Sequence, residues 1–196
     1  VATKGAEILG SLALVLLCAY IGYIVHAVLV YSLSAKIFAN INPITFFKKA
    51  AAAMIFAFTS TSSAATLPVS KECADSMGAE DDISSFVLPL GATINMDGTA
   101  IYMGVCSLFI ANVYGIDLTM AQMGMIILTG TLASIGTAGV PGAGLIMLSM
   151  VLLSVGLPME GLALVAGIDR ILDMFRTTVN ITGDAAVTCV INETEK

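Results

Sequence analysis

Gly91-Ala92-Thr93-Ile94-Asn95-Met96-Asp97-Gly98-Thr99 stands in the middle of an otherwise apolar run from Ser85 to about Tyr114. An acid, an amide and two glycines do not belong in the centre of an uninterrupted apolar helix, so this stretch reads as a helix broken at its middle. If that helix lies in hydrocarbon, the backbone groups freed at the break must be buried in protein or line a water-filled cavity. The segments around the break therefore have to supply partners for it.

Composition sets the solvent. The chain has 196 residues, 58% hydrophobic and 11% charged, with mean hydropathy +0.97, more apolar than a soluble domain with a polar shell. Apolar runs recur along nearly the whole length, and no N-terminal run leads through a cleavage site into a soluble body, which argues against a secreted protein. A net charge of −6 argues against nucleic acid as a partner. Placement of the cations says more, because positively charged loops stay cytoplasmic; Lys36, Lys48, Lys49, Lys71 and Lys196 become the markers. Cys18, Cys73, Cys106 and Cys189 are scattered singly and His26 is the only histidine, so zinc and thiol chemistry are not supported. His26, amid Ile24, Val25 and Val28, reads as an ordinary lipid- or core-facing residue.

Outward from the break, the expectation is an all-α membrane protein. Ile8 to about Phe38 is long enough to span a core of roughly 30 Å as one transmembrane helix. After Asn42-Pro43, two apolar pieces of about 15 residues flank a polar hinge from Thr59 to Pro68; each reaches only about 20 to 25 Å, so a hairpin that enters and leaves on the cytoplasmic side is expected. A second hairpin runs from Leu118 to about Val155. Its tip, Ser134-Ile135-Gly136-Thr137-Ala138-Gly139-Val140-Pro141-Gly142-Ala143-Gly144, carries four glycines and a proline. A last helix runs from Gly161 to about Ile191. The segments are thus residues 1–42, 43–84, 85–117, 118–158 and 159–196, a hairpin–helix unit repeated with inverted topology. Transporters built from such repeats place their site at the midplane, where discontinuous helices expose carbonyls and helix ends.

In the last helix Asp169, Asp173, Arg176, Thr177, Asn180 and Asp184 fall within an arc of roughly 100°. A charge at the bilayer centre costs about 2.5 to 3.5 kcal/mol on insertion scales, so the stripe must face protein or water. Ion pairs gluing helices together would account for Arg176 with Asp169 or Asp173, but leave Asp184 and Asn180 without partners. Asn95 and Asp97 at the break suit a dehydrated sodium ion, a hard cation that takes oxygen donors; the plainer alternative for Asp97 is a carboxylate capping the following half-helix.

Ser62-Ser63-Ala64-Ala65-Thr66-Leu67-Pro68, Asn95-Met96-Asp97-Gly98-Thr99, Gly136 to Gly142, and the Asp169, Asp173, Arg176, Thr177, Asn180, Asp184 series together closely resemble the dicarboxylate/amino acid:cation symporter family. The resemblance covers essentially the whole chain and looks like the family's sixth helix, first hairpin, seventh helix, second hairpin and eighth helix. Earlier family helices, including the trimerisation scaffold and the third helix, have no counterpart, and a fragment of a longer carrier is the expectation. The resemblance implies that Arg176 pairs with the substrate's side-chain carboxylate, that Asp173 holds its amino group and Asn180 its α-carboxylate, with Ser63, Thr99, Thr177, Val140 and Gly144 completing the cradle. For co-transported Na+ it implies Gly91, Asn95, Asn180 and Asp184 at one site, carbonyls of Thr93, Ser134, Ile135 and Thr137 at a second, and Asn95 with Asp97 at a third that lacks its family partners.

The chain departs from archaeal members, which carry an arginine at the Thr61 position, and from animal members, which carry one at Met174. Arg170 is the expected stand-in, partly offsetting Asp173, and the plainer alternative for it is an interfacial or surface residue. What the resemblance implies is sodium-coupled symport of L-glutamate or L-aspartate by elevator motion, in a multi-pass protein of the plasma (inner) membrane, homotrimeric with its scaffold. Proton-coupled glutamate or C4-dicarboxylate symport, and a non-transporting fragment or channel-like bundle, are the alternatives. No nucleophile is paired with a base, so an enzyme is not expected.

Overall fold

The computed structural model describes residues 2–196, with side chains from residue 10 onward; Val1, the first residue of the expected N-terminal segment, lies outside the described residues. Among the described residues all regular secondary structure is helical, and no strand occurs. Helix α1 (Ala2–His26) passes through a π-helical turn (Ala27–Tyr31) into α2 (Ser32–Ile37). The wider turn has a local consequence. In an α-helix residues five apart point about 140° apart, whereas the i→i+5 bonding of a π turn stacks them, and His26 and Tyr31 here serve the same neighbour.

Helix α3 (Pro43–Ser60) starts on the side chain of Asn42, which accepts from Ile44 N, with Pro43 in the first turn where its missing N–H is harmless. It stops at Thr61, a left-handed residue with φ 53°, and α4 (Ser63–Ser76) begins at once, capped by Ser62, whose hydroxyl accepts from Ala65 N. The polar hinge expected over Thr59 to Pro68 is therefore only two residues long. The hydroxyls that looked like loop chemistry close the first turn of α4 instead: Thr66 Oγ1 donates to Ser62 O at 2.7 Å, and Pro68 lies inside the helix.

The central break is also short. Helices α5 (Asp81–Ile94) and α6 (Asp97–Val113) are separated by Asn95 and Met96 alone. Helix α7 (Met120–Ser134) opens with a capping box between Thr119 and Gln122, and α8 (Ala143–Ser154) follows a turn in which Gly136 (φ 91°) and Gly142 (φ 77°) take backbone conformations that side chains rarely adopt. Helices α3 with α4, and α7 with α8, form two packed helical pairs.

Helix α9 (Gly161–Thr194, 34 residues) is the axis on which the rest assembles, packing against α1, α3, α4, α5, α6 and α8. Its polar stripe is inside: Asp169, Asp173, Arg176, Thr177, Asn180 and Asp184 are all buried. The outside is apolar, with Leu14, Leu17, Ile21 and Ile24 along α1, Val28 in the π turn, Ile127 and Leu132 on α7, and Ile146 and Leu153 on α8 all exposed. An apolar exterior around a charged interior inverts the pattern of a soluble domain. By length and composition Gly10–Ile37 and Asp81–Val113 can cross a membrane. Helix α9 has the length, but its charges lower its apolarity, and the neighbours that bury them substitute for it.

Candidate functional site

Three chain breaks converge on one point of α9. Ser62 Oγ donates to Gly139 O at 2.8 Å and Ala64 N to the same oxygen at 3.1 Å, which joins the tip of α3–α4 to the tip of α7–α8. Gly136 N donates to Thr93 O at 2.8 Å, tying the second tip to the end of α5. Gly139 permits this closeness, since a Cβ there would lie 3.1 Å from both Ala92 O and the Ser63 side chain. Beneath the joined tips is a small cavity of about 10 Å³, lined by Ser63, Thr99, Val140, Gly144, Asp173, Arg176, Thr177 and Asn180, the eight residues expected at the substrate, together with Thr61, Met96, Thr137, Ala138, Gly139 and Ala143.

The guanidinium of Arg176 is clamped from three sides. Its Nη2 lies 2.8 Å from Asp173 Oδ1 and its Nη1 3.5 Å from Asp169 Oδ1, while the ring of Tyr102 lies beneath it with the centroid 4.3 Å from Cζ, a cation–π distance. Gly144 closes the fourth side, where any side chain would overlap the guanidinium. Asp173 is shared: Thr177 Oγ1 donates to it at 3.1 Å and the backbone N–H of Gly142, at the second tip, at 2.9 Å. One buried carboxylate thus holds both the arginine and the tip that covers it.

A turn further along α9 the chemistry becomes all oxygen and amide. Asn180 accepts from Gly98 N at 2.8 Å and donates to Thr99 Oγ1 at 3.2 Å, with Met96 Sδ 3.0 Å from its amide nitrogen. Asn95 Nδ2 donates to Asp184 Oδ1 at 2.8 Å and to Asn180 O at 3.2 Å. Gly98 and Gly91 make this packing possible, because Cβ atoms there would come 2.5 Å from Arg176 O and 2.6 Å from Asp184 Oδ1. Asp184 is 2% exposed, and no basic group of the described residues lies within ion-pair distance of it. A buried carboxylate with an amide donor and no cation beside it meets a large desolvation cost on ionising, a cost that a bound cation would offset.

Of the expected ion ligands, Gly91, Asn95, Asn180 and Asp184 come together. Thr93, Ser134, Ile135 and Thr137 gather where α5 meets the second tip, although Thr93 O and Ser134 O accept from Gly136 N and Thr137 N. Asn95 and Asp97 hold different partners but stay close, since a Cβ at Gly183 would lie 2.5 Å from Asn95 Nδ2 and 2.8 Å from Tyr31 Oη, the hydroxyl that serves Asp97. Asp97 Oδ2 is 3.0 Å from His26 Nε2 and accepts from Tyr31 Oη at 2.9 Å. This corrects the bland reading of His26, which the π turn aims at an acid 71 residues away. Arg170 differs from expectation too: its Nη1 donates to Thr61 Oγ1, while Asp173 is engaged by Arg176, Thr177 and Gly142.

Met96 and Tyr102 were missed in the sequence, though Tyr102 stands three residues after Thr99 on one helical face, a spacing that could have found it.

The model of the sodium:dicarboxylate symporter family matches residues 1–194. Excitatory amino acid transporter 3 of Mus musculus is 44% identical over 191 residues, covering 97% of this chain and 36% of that protein; the Homo sapiens protein of the same name is 43% identical over the same length. Excitatory amino acid transporter 1 of Rattus norvegicus is 43% identical over 177 residues, 90% of this chain and 33% of that protein. The chain spans about a third of the length of these relatives. With the family model matched along nearly all of its residues and its breaks and buried stripe gathered at one point, this chain belongs to the sodium:dicarboxylate symporter family, and is a membrane protein.

Proposed function

We propose that this chain forms the substrate- and ion-carrying core of a sodium-coupled symporter for acidic amino acids, L-glutamate or L-aspartate, working by an elevator motion. The observation that carries the reading is the buried set of opposed charges under the joined tips. Arg176 offers a planar, bidentate match to a carboxylate, and Asp173 beside it offers an acceptor for an ammonium. A substrate with both groups can divide the Arg176–Asp173 pair and leave neither charge alone. Succinate has no ammonium for Asp173, and serine has no side-chain carboxylate for Arg176.

Sodium fits the buried acid Asp184. Gly91 O, Asn180 O and the Asp184 carboxylate are hard oxygen donors, and Asn95 adds a fourth if its amide turns to present Oδ1. A cation there would offset the cost of ionising Asp184. In this reading Asp97 with Asn95 contributes to a third ion site and the carbonyls of Thr93, Ser134, Ile135 and Thr137 to a second, next to the second tip, so that ion binding favours tip closure. A cavity of about 10 Å³ holds about one water, so an amino acid enters only when a tip lifts. The α7–α8 tip is the better gate, because its hold on α9 runs through the N–H of Gly142 on Asp173, the acceptor that substrate would take over. The α3–α4 and α7–α8 pairs are then re-entrant hairpins in an inverted repeat, the surrounding bilayer is that of the plasma (inner) membrane, and the complete carrier is a homotrimer, as the family resemblance implies.

The test is isothermal titration of the purified chain with L-aspartate, L-glutamate, succinate and L-serine, with and without Na+, in parallel with Arg176→Ala. Binding of aspartate or glutamate that needs both Na+ and Arg176 is expected. Sodium-independent binding, or succinate bound as tightly as aspartate, would overturn the assignment.

A further inference from the structure

Arg170 lies one residue after Asp169 of the buried stripe but is itself exposed on the surface of α9. Its guanidinium nevertheless reaches the first tip, where Nη1 donates to the hydroxyl of Thr61. Thr61 is 1% exposed, lines the cavity together with Ser63 and Asp173, and has a φ of 53°, a left-handed conformation in which a β-branched residue is an outlier. Its N–H closes on Ala57 O at 2.8 Å and its hydroxyl donates to Ser60 O at 2.7 Å. The tip is thus wound tightly at the C-terminal end of α3, where carbonyls accumulate partial negative charge and where α3 has no basic residue of its own. Arg170 supplies that cation from another helix.

The surrounding packing holds the two helices in the register this requires. Phe175 packs edge-on to Phe58 with ring centroids 5.1 Å apart, and Thr178 Oγ1 donates to Met54 O at 3.4 Å, so one face of α9 is tied along α3 up to its end. No carboxylate of the described residues is within ion-pair distance of Arg170. Its charge is not spent on an acid, and neither Thr61 nor Met174, where resembling members carry an arginine, is basic here.

We propose that Arg170 is a positioning residue of the substrate site: by clamping the left-handed Thr61 it keeps the α3–α4 tip wound and holds Ser62 and Ser63 against Gly139 and the cavity. Arg170 does not touch the substrate; it acts through Thr61. The inference rests on the acidic amino-acid reading of the site for its binding readout and on the tip geometry alone for its exchange readout.

The experiment combines Na+-dependent L-aspartate titration with hydrogen–deuterium exchange over residues 57–66, on the whole chain and its R170Q, R170K, T61V and R170Q/T61V variants. R170Q and T61V are each expected to weaken aspartate binding by about threefold to tenfold, the equivalent of one hydrogen bond, and to speed exchange at residues 57–66. The double variant should lose no more than the stronger single one, and R170K should recover part of the loss. Additive losses in the double variant, or unchanged exchange at the tip in R170Q, would overturn the proposal. If the unaltered chain binds no aspartate, the acidic amino-acid reading fails by itself, and the exchange comparison still decides whether Arg170 holds the tip.

Discussion

Gly91→Ala tests the ion site through packing. A Cβ added at Gly91 would lie 2.6 Å from Asp184 Oδ1, 3.0 Å from Cγ and 3.3 Å from Cβ. Ordinary contact begins near 3.4 Å, so the carboxylate must retreat by about 0.8 Å. Rotating the carboxylate alone does not relieve the clash, because Cγ and Cβ of Asp184 are crowded as well. Retreat means movement of α9 against α5 or loss of the 2.8 Å bond from Asn95 Nδ2. Overpacking of this kind costs about 1 to 3 kcal/mol, and if Asp184 is a sodium ligand most of that should appear in ion affinity, as a rise of roughly tenfold to a hundredfold in half-saturating Na+. Gly104→Ala is the matched control: it also lies within a helix but has nothing within 4 Å of the new Cβ, so it should leave Na+ dependence unchanged and stabilise the fold by up to about 1 kcal/mol. Both variants would be measured by Na+ titration at fixed L-aspartate and by thermal unfolding in lipid nanodiscs. A folded Gly91→Ala protein whose half-saturating Na+ stays within about twofold of the parent would refute the reasoning.

Asp173→Ala removes the acceptor 2.8 Å from Arg176 and frees Gly142 N; leaving a buried cation with only the longer 3.5 Å contact to Asp169 should cost about 3 to 5 kcal/mol in thermal unfolding. Asp169→Asn should cost clearly less, and the reverse order would show that Asp169 is the principal partner. Ser62→Ala deletes both the cap of α4 and the donor to Gly139 O, and should destabilise by about 1 to 2 kcal/mol. Exchange should quicken at residues 63–66 and 137–140 together, and a change confined to the first tip would argue that the tips do not hold each other.

Much of this architecture is legible along the chain, because its causes are local. Apolar composition, breaks at short polar or glycine-rich stretches, and a polar series at helical spacing each reflect a few neighbouring residues, so the all-helical class follows from the first two and the buried face of α9 from the spacing of Asp169 to Asp184. Local reading overestimated the breaks. Thr59 to Pro68 looks like a hinge, but a single serine cap and the back-bond of Thr66 absorb most of it into helix.

What the sequence could not decide is which break meets which. Thr61 and Arg170 are 109 residues apart, His26 and Asp97 are 71 apart, and Ser62 and Gly139 are 77 apart. No periodicity links such positions. They meet because glycines at 91, 98, 139 and 144 let α5, α6 and the two tips approach α9 and each other within the width of a missing Cβ, and because a π turn rotates His26 and Tyr31 onto one side. Helical spacing determined which side chains share a face; the distance between packed backbones, set only once the other helices pack around α9 and one another, determined which of them touch.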